Sequence, residues 1–509
     1  KDEGSFHSVL LRVSGSLPQD NHPDGIGAIL GESREVVMPV EDLLFEIFSE
    51  AGRELFLVGG TVRDRLLGLA SSDLDFATDS PPDSTVSILE SRGIRTFDTG
   101  RRFGTITAVV QTPGGVVRAE ITTYRSEHYE KGSRKPRVRF GRSLESDLSR
   151  RDFTINAMAM DSRGAIIDPA GGAADLASGV IRTPDDPVSA MADDPLRILR
   201  AVRFRGRFGF RIDAALEAAI RAGAGSLREV SVERWLRELD GMLLIPSGAG
   251  ASSCMRGLVD LDVLPVVLPE IVPLAGSDAE DPGVHHVEGV WSHTLSVMER
   301  TRPGIELRWA ALFHDAGKPF RRSVDPDGSV HFHGHPEVGA ELALQAGCRL
   351  RFPKARRLAV STLVRLHQRP AEYRADWGDA AVRRLSRDAG DLLCDLLALS
   401  EADSACRAPE SAARRTALLA GLRRRLETDP LAGRGRLVPC GVGERLTEML
   451  GPGNGPLVGR LVGVLEEMVL NGRLTPGSTT EEFLAALEAS GLLPGAPGKG
   501  LQGDAGGRT

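Results

Sequence analysis

The sequence predicts an α+β chain, in which a small mixed sheet opens the fold and helices make up most of the remainder. Short β-branched runs alternate with helical stretches between residues 37 and 182, and from about 183 onward apolar residues recur at three- and four-residue spacing. The end of the chain is rich in glycine and proline. A length of 509 residues, 41% hydrophobic and 26% charged, is enough for several domains with cores of their own.

Residues 1–36 read as a flexible N-terminal extension without the charged start, apolar core and small-residue cleavage pattern of a signal peptide. The stretch 37–182 forms the head. ELFLVGG (54–60) is a short apolar strand running into Gly-Gly, and TVRDRLLG (61–68) is a helix closed by Gly68. DLDF (73–76), RFGTITAVV (102–110) and VVRAEITTY (116–124) supply further strands. Residues 183–270 are a helical neck, in which DDPLRILRAVRFRGRFGF (193–210) and SVERWLRELDGMLL (231–244) are amphipathic and Ser231 is a suitable N-cap. A second helical block, 275–410, holds most of the histidines; 411–490 is a helical tail with Arg-rich faces such as RRTALLAGLRRRLE, a candidate RNA-binding surface; and 491–509 reads as disordered.

Lys and Arg total 63 against 70 Asp and Glu, a formal charge of -7, so a nucleic-acid partner needs local basic patches. Five cysteines, far apart and without a CxxC pair, fit reduced thiols in the cytoplasm. The most apolar stretch, LDVLPVVLPEIVPLAG, is broken by charges and prolines, and no membrane partner is expected. Oligomeric state is not legible.

In DLDF, Asp73 and Asp75 fall on one face of a strand, with Leu74 and Phe76 on the other. Two carboxylates so placed clamp hard divalent cations, an arrangement suited to phosphoryl transfer. The competing reading is a turn cap at Asp73 and a surface ion pair at Asp75. Upstream, Gly59 and Gly60 let the backbone approach a ligand, and Arg63 at the start of the next helix is expected to reach an anion.

LVGGTVRDRLLG followed by DLDFATD resembles the class II tRNA nucleotidyltransferase and bacterial poly(A) polymerase family, part of the superfamily that includes DNA polymerase beta. The likeness continues in order. ITTYRSEHYEKGSRKPRVRFGRSLESDLSRRDFTINAMAM (121–160) resembles the family's flexible loop and RRDFTINA motif, and DPAGGAADLASGVIRTP (168–184) resembles its hinge. DDPLRILRAVRF (193–204) resembles the base-selecting motif and SVERWLRELDGMLL its supporting helix. The resemblance implies a polymerase-beta-like head with Mg2+ held by Asp73 and Asp75, and nucleotide contacts from Gly60, with Gly59 beside it, Arg63 and Arg151. It further implies Asp194 and Arg197 at the Watson–Crick edge of CTP or ATP, and Arg200 and Arg203 near the triphosphate. Arg197, Arg200 and Arg203 recur every three residues, which on a helix makes one basic stripe; its alternative is a solvated face. Asp193 stands where the family commonly has Glu. Glu120 is a candidate third carboxylate or the partner of a strand arginine; Arg150 competes with Arg151, and Asp152 follows them.

The resemblance implies addition of CMP and AMP to the tRNA 3′ end. A poly(A) polymerase and a CC-only or A-only enzyme share the motifs, and an HD phosphohydrolase with an inert RNA-binding head is the reading from a different class. His293, His314-Asp315, His335, His367 and Asp403 follow the order found in HD-domain phosphohydrolases. Histidines and carboxylates gathered from several helices make a metal site for polarising water, and a divalent transition metal is expected there. His293, His314, Asp315 and Asp403 match the minimal ligand set; His335, with His333 as its rival, and His367 are candidates for a second metal.

Overall fold

The protein is described from a computed structural model, covering residues 8–10, 37–70, 74–128, 137–141, 143–276, 289–327, 329–429, 431, 437–451 and 453–493. Asp73, residues 129–136 of the expected flexible loop, and most of the expected N-terminal extension and disordered C-terminus lie outside the described residues. The chain divides into two compact units, Lys1–Leu239 with Arg256–Val267, and Asp240–Met255 with Leu268–Thr509. The stretch expected to be a separate neck is thus shared between them.

In the first unit a seven-stranded sheet is built from β1 (Leu55–Val58), β2 (Leu74–Thr78), β3 (Arg95–Gly100), β4 (Thr105–Thr112), β5 (Gly115–Thr123), β6 (Ala159–Met160) and β7 (Ile166–Ile167). The spatial order is β7-β6-β1-β2-β5-β4-β3. Only β2 and β5 run parallel in it; the other neighbours are antiparallel. One face packs on helices: Val40, Leu44, Ile47 and Phe48 of α1 (Val40–Glu50) are buried, as are Leu57, Phe76, Ile106 and Ile121 of the strands. Leu74 and Phe76 point into this core, as their alternation with Asp75 predicts.

Between β1 and β2 lies α2 (Gly60–Leu66), a short helix followed by Gly68 at φ +67°. After the sheet, α3 (Leu144–Ser149) is capped by Ser143. The amphipathic run expected over 193–210 is not one helix. A short helix, Pro187–Asp193, ends at Asp194, whose backbone is extended (φ −141°, ψ 96°), and α4 (Leu196–Phe208) starts anew after Pro195. The cause is Pro195, which disfavours helical geometry in the residue before it. Buried Ile198, Leu199, Val202 and Phe204 give α4 its core side. The next element the site uses is α5 (Val232–Leu243).

The second unit is helical. Its elements used below are α6 (Val290–Arg300), α7 (Ile305–Phe313), α8 (His335–Arg349), α9 (Lys354–Leu366), α10 (Leu393–Ala405) and α11 (Pro409–Thr428). Arg308 on α7 is buried and donates to the carbonyls of Leu243, Ile245 and Thr301, while Trp309 donates to Asp240. These bonds satisfy carbonyls that a helix end leaves open. A separate apolar cluster around Val442, Leu465, Val469 and Phe483 forms the core of the tail. The Arg-rich run on α11 is only partly available to a partner: Arg415 donates to the Ala371 carbonyl, Arg423 pairs with Glu401 and Arg425 with Asp379. Among the described residues no helix is long and apolar enough to cross a membrane.

Candidate active site and metal centre

The register of the sheet brings the head's acidic residues together. Asp75 of β2 lies directly opposite Glu120 of β5, Glu120 opposite Thr107 of β4, and Thr107 opposite Phe97 of β3. Directly opposed residues share a sheet face. This row lines a cleft of about 500 Å3 together with Val109 and Arg118. Glu120 therefore stands beside Asp75, and the all-oxygen donor set of the two carboxylates suits a hard divalent cation. Asp73, two residues before Asp75, is outside the described residues.

The Gly-Gly turn is tied to this row. The Asp75 amide donates to the Thr61 hydroxyl of α2 at 3.1 Å, and Thr61 is buried. Gly59 has φ 66° and ψ −129°, a conformation open essentially to glycine alone. A Cβ there would lie 2.7 Å from Nη1 of Arg151, so the missing side chain is what lets Arg151 rest on the turn. Gly60 sits against the Arg63 guanidinium, whose Nη2 would lie 3.4 Å from a Cβ at this position.

Arg63 of α2 is held by the elements around it. It is 4% exposed, bonded to Asp64 and to the Asn156 side chain, and its guanidinium lies 5.2 and 4.9 Å from the ring centres of Phe204 and Phe208. Its contacts join α2 to α4.

Arg151, Asp152, Asp194, Arg197, Arg200 and Arg203 converge on a hollow of about 530 Å3, joined by Arg125, Arg150, Arg234, Arg237 and Glu238. The basic stripe of α4 thus faces a concavity and is held by carboxylates. Arg200 Nε donates to Asp152 at 2.7 Å, and Arg203 lies 3.1 Å from Glu238. Arg197 donates to the Arg150 carbonyl at 2.6 Å, and Asp194 receives Arg234 at 2.8 Å. Burial works to raise the Asp152 pKa, but Arg200, with donors from Asn156 and the Phe153 amide, outweighs it and holds the carboxyl below its usual range.

Sequence reasoning missed two carboxylates. Glu238, buried on α5, faces both Arg200 and Arg203. Asp147 on α3 is 1% exposed and holds Arg150 at 2.6 Å and Arg151 at 3.1 Å. The available signal was the three- and four-residue spacing from Asp147 to the two arginines. Both competitors for the nucleotide role, Arg150 and Arg151, therefore share one anchor.

In the second unit, His293 (α6), His314 and Asp315 (just after α7), His335 (start of α8), His367 (just after α9) and Asp403 (α10) are all buried and gathered together. Asp315 is central. One carboxylate oxygen lies 3.2 Å from His314 Nε2 and 3.6 Å from His293 Nε2; the other lies 3.3 Å from His335 Nε2 and 4.0 Å from His367 Nε2. Asp403 stands 3.0 Å from His293 Nε2. The Nδ1 atoms of His314, His335 and His367 lie 2.7 to 2.9 Å from the carbonyls of Ala311, Phe332 and Val364, which turns each Nε2 inward as the nitrogen left to ligate. Burial, with His314 beside it, pushes His367 down to about 3, so that imidazole is neutral as a ligand must be. The donor set fits two divalent metals sharing Asp315, with His293 and His314 on one side and His335 and His367 on the other. His333, the rival of His335, stacks on His331 at 5.3 Å instead.

Two tests arise from the head. Gly59→Ala is expected to cost about 2 kcal/mol in denaturant unfolding, from strain and the Arg151 clash; adding Arg151→Ala removes the clash, so the double variant is less destabilised than the sum of the singles. Asp147→Asn addresses charge. Burial raises the Asp147 pKa, yet Arg151 and Arg150 outweigh it and lower the folded value. Its stabilisation is therefore full above the unfolded value of about 3.9 and is lost as pH falls through the lower folded value. Urea unfolding of Asp147→Asn should show a deficit of about 2 kcal/mol at neutral pH that shrinks under strong acid; an unchanged deficit in acid excludes the ion pairs as its source.

Comparison with known proteins identifies the domains and the family. Residues 55–182 match the family model described as the poly A polymerase head domain, 209–274 the probable RNA and SrmB-binding site of polymerase A, and 283–407 the HD domain. The A-adding tRNA nucleotidyltransferase of Deinococcus radiodurans is 34% identical over 435 residues, 81% of this chain and 90% of that protein. The CCA-adding enzyme of Geobacillus thermodenitrificans is 41% identical over 301 residues, 58% of this chain and 67% of the relative. Among solved structures, the Bacillus stearothermophilus CCA-adding enzyme in complex with CTP aligns with a TM-score of 0.59 at 27% identity, covering 88% of this chain and 96% of that one. The chain belongs to the tRNA nucleotidyltransferase and poly(A) polymerase family, with an HD domain following its polymerase head.

Proposed function

We propose that this chain adds CMP and AMP from CTP and ATP to the 3′ end of tRNA, completing CCA without a template and releasing pyrophosphate. The observation that carries the reading is the short path from the Asp75–Glu120 row, through Thr61 and Gly59, to Arg151 and the arginine-lined hollow. A place for a cation-assisted 3′ hydroxyl thus adjoins a place for a triphosphate. Asp75 and Asp73, with Glu120, would hold Mg2+, which when bound lowers the pKa of the 3′ hydroxyl and neutralises charge on the α-phosphate. The chain's own residues do the positioning. Arg151, Arg200 and Arg203 offset the negative triphosphate, while Asp147, Asp152 and Glu238 keep them oriented. Asp194 accepts from the exocyclic amine that cytosine and adenine share, and Arg197 donates to a ring or carbonyl acceptor. The RNA 3′ oxygen then bonds to the α-phosphorus as the bond to pyrophosphate breaks, with no covalent enzyme intermediate.

The division into head (37–182), neck (183–270), HD domain (275–410) and tail (411–490) is part of this proposal, as is a cytoplasmic setting, which suits five cysteines that lie far apart in the sequence without a CxxC pair. Relatives named for A addition and for CCA addition make the product the deciding measurement. With tRNA transcripts ending before C, CC and CCA, and CTP, ATP or both, stopping after CCA is expected; addition of A alone, of CC alone, or of long A tails assigns the corresponding alternative. Asp75→Ala should abolish incorporation while tRNA binding persists, and near-full activity in that variant refutes the metal assignment.

The placement of Asp315 between two histidine pairs favours a second activity, metal-dependent phosphoester hydrolysis by the HD domain. A divalent transition metal there would supply a polarised water. Asp315→Ala is expected to lose bound metal by elemental analysis and to lose hydrolysis of bis(p-nitrophenyl) phosphate, with nucleotide addition retained. Equal metal content in variant and wild type rejects the site.

A further inference from the structure

The row that carries Asp75 does not end at the carboxylates. Across adjacent strands it runs Asp75, Glu120, Thr107, Phe97, each directly opposite the next, so all four side chains lie on one face of the sheet. Phe97 is 56% exposed, although it belongs to a residue type that normally seeks the core. It lines the same cleft as Asp75 and Glu120, and Leu74 joins Val109 and Arg118, which lie one step along β4 and β5 on that face, in the wall. Three strand spacings separate Phe97 from Asp75, about 14 Å.

We infer that Phe97 is a stacking platform for the single-stranded 3′ end of the acceptor RNA, receiving the base of a nucleotide upstream of the reacting hydroxyl. The inference rests on the nucleotidyl-transfer reading above and assigns a subsite to its second substrate. The two hollows of the head differ in chemistry. The arginine-lined one suits the dense charge of a triphosphate, whereas the cleft along the row offers an aromatic face, an apolar flank at Val109 and, among the described residues, one guanidinium, that of Arg118. Aromatic faces bind unpaired bases of any identity, and one cation suits one backbone phosphate. An end whose sequence changes with every addition needs a grip of that sequence-tolerant kind. The occupant is committed by position: whatever lies on Phe97 continues along the row to the carboxylates, and a polynucleotide ending in a 3′ hydroxyl has that form.

The test uses the full-length protein and tRNA transcripts carrying 2-aminopurine at each of the last three acceptor positions in turn. In the wild-type protein, one position should show stacking-dependent quenching on binding. Phe97→Ala should abolish that quenching and raise the KM for tRNA about ten-fold, while the KM for ATP is unchanged; Phe97→Trp should restore both. Because Phe97 is exposed, loss of folding is not expected, and the ATP KM reports on it. Unchanged quenching and tRNA KM in Phe97→Ala, alongside normal nucleotide addition by the wild type, overturn the platform alone. A wild-type protein that adds no nucleotide overturns the parent reading and the platform with it.

Discussion

Mutual repulsion among guanidinium groups is the constraint on which the head is built. Arginines from α4, α5 and the chain around α3 point into one hollow, and left alone they would drive it apart. Buried and half-buried carboxylates prevent this: Asp147 faces Arg150 and Arg151, Asp152 faces Arg200, and Glu238 faces Arg200 and Arg203. Asp147 sits on α3, Asp152 in the loop after it and Glu238 on α5, so the ion pairs that steady the arginines also fasten that loop to α4 and α4 to α5. Candidate site and scaffold share their bonds. Under the proposed function, a triphosphate entering the hollow would meet cations that are already oriented, so little ordering cost would remain at the moment of binding.

Arg63 shows the complementary use of the same side chain. Buried between Asp64, Asn156, Phe204 and Phe208, it joins α2 to α4 and to the loop before β6. Through Thr61 on the same short helix, the position of β2 and hence of Asp75 depends on that packing. The flat guanidinium suits this task because it stacks on rings while its edge donates hydrogen bonds.

What was legible in the sequence was local. The alternation around Asp75 announced the strand face, the three-residue recurrence of Arg197, Arg200 and Arg203 announced the stripe, and the adjacent His314-Asp315 announced the buried histidine and aspartate cluster. What was not legible was partnership over distance. Glu238 lies too far along the chain from Arg200 for any periodicity to pair them, and the aromatic residues that claim Arg63 come about 140 positions later. The break at Asp194 was written in Pro195 but overridden, in the helical reading, by the strong apolar pattern on either side. The sharing of Asp315 between two histidine pairs depends on which way a carboxylate turns in a packed core, and no spacing rule encodes that.

The cross-strand row has a consequence for how such a chain can change over evolutionary time. Side chains alternate faces along a strand, so loss of Val116 from β5, with the hairpin to β4 held in register, would turn the inward and outward sets of the rest of that strand over together. Glu120 and Arg118 would be driven into the core as Val117 and Ala119 came out. Length variation is therefore barred from the strands of the row and confined to the connections between them, while point replacement at exposed members such as Phe97 stays open. Substrate preference in this fold can drift by exchange of single side chains, but the spacing that presents them must be inherited whole.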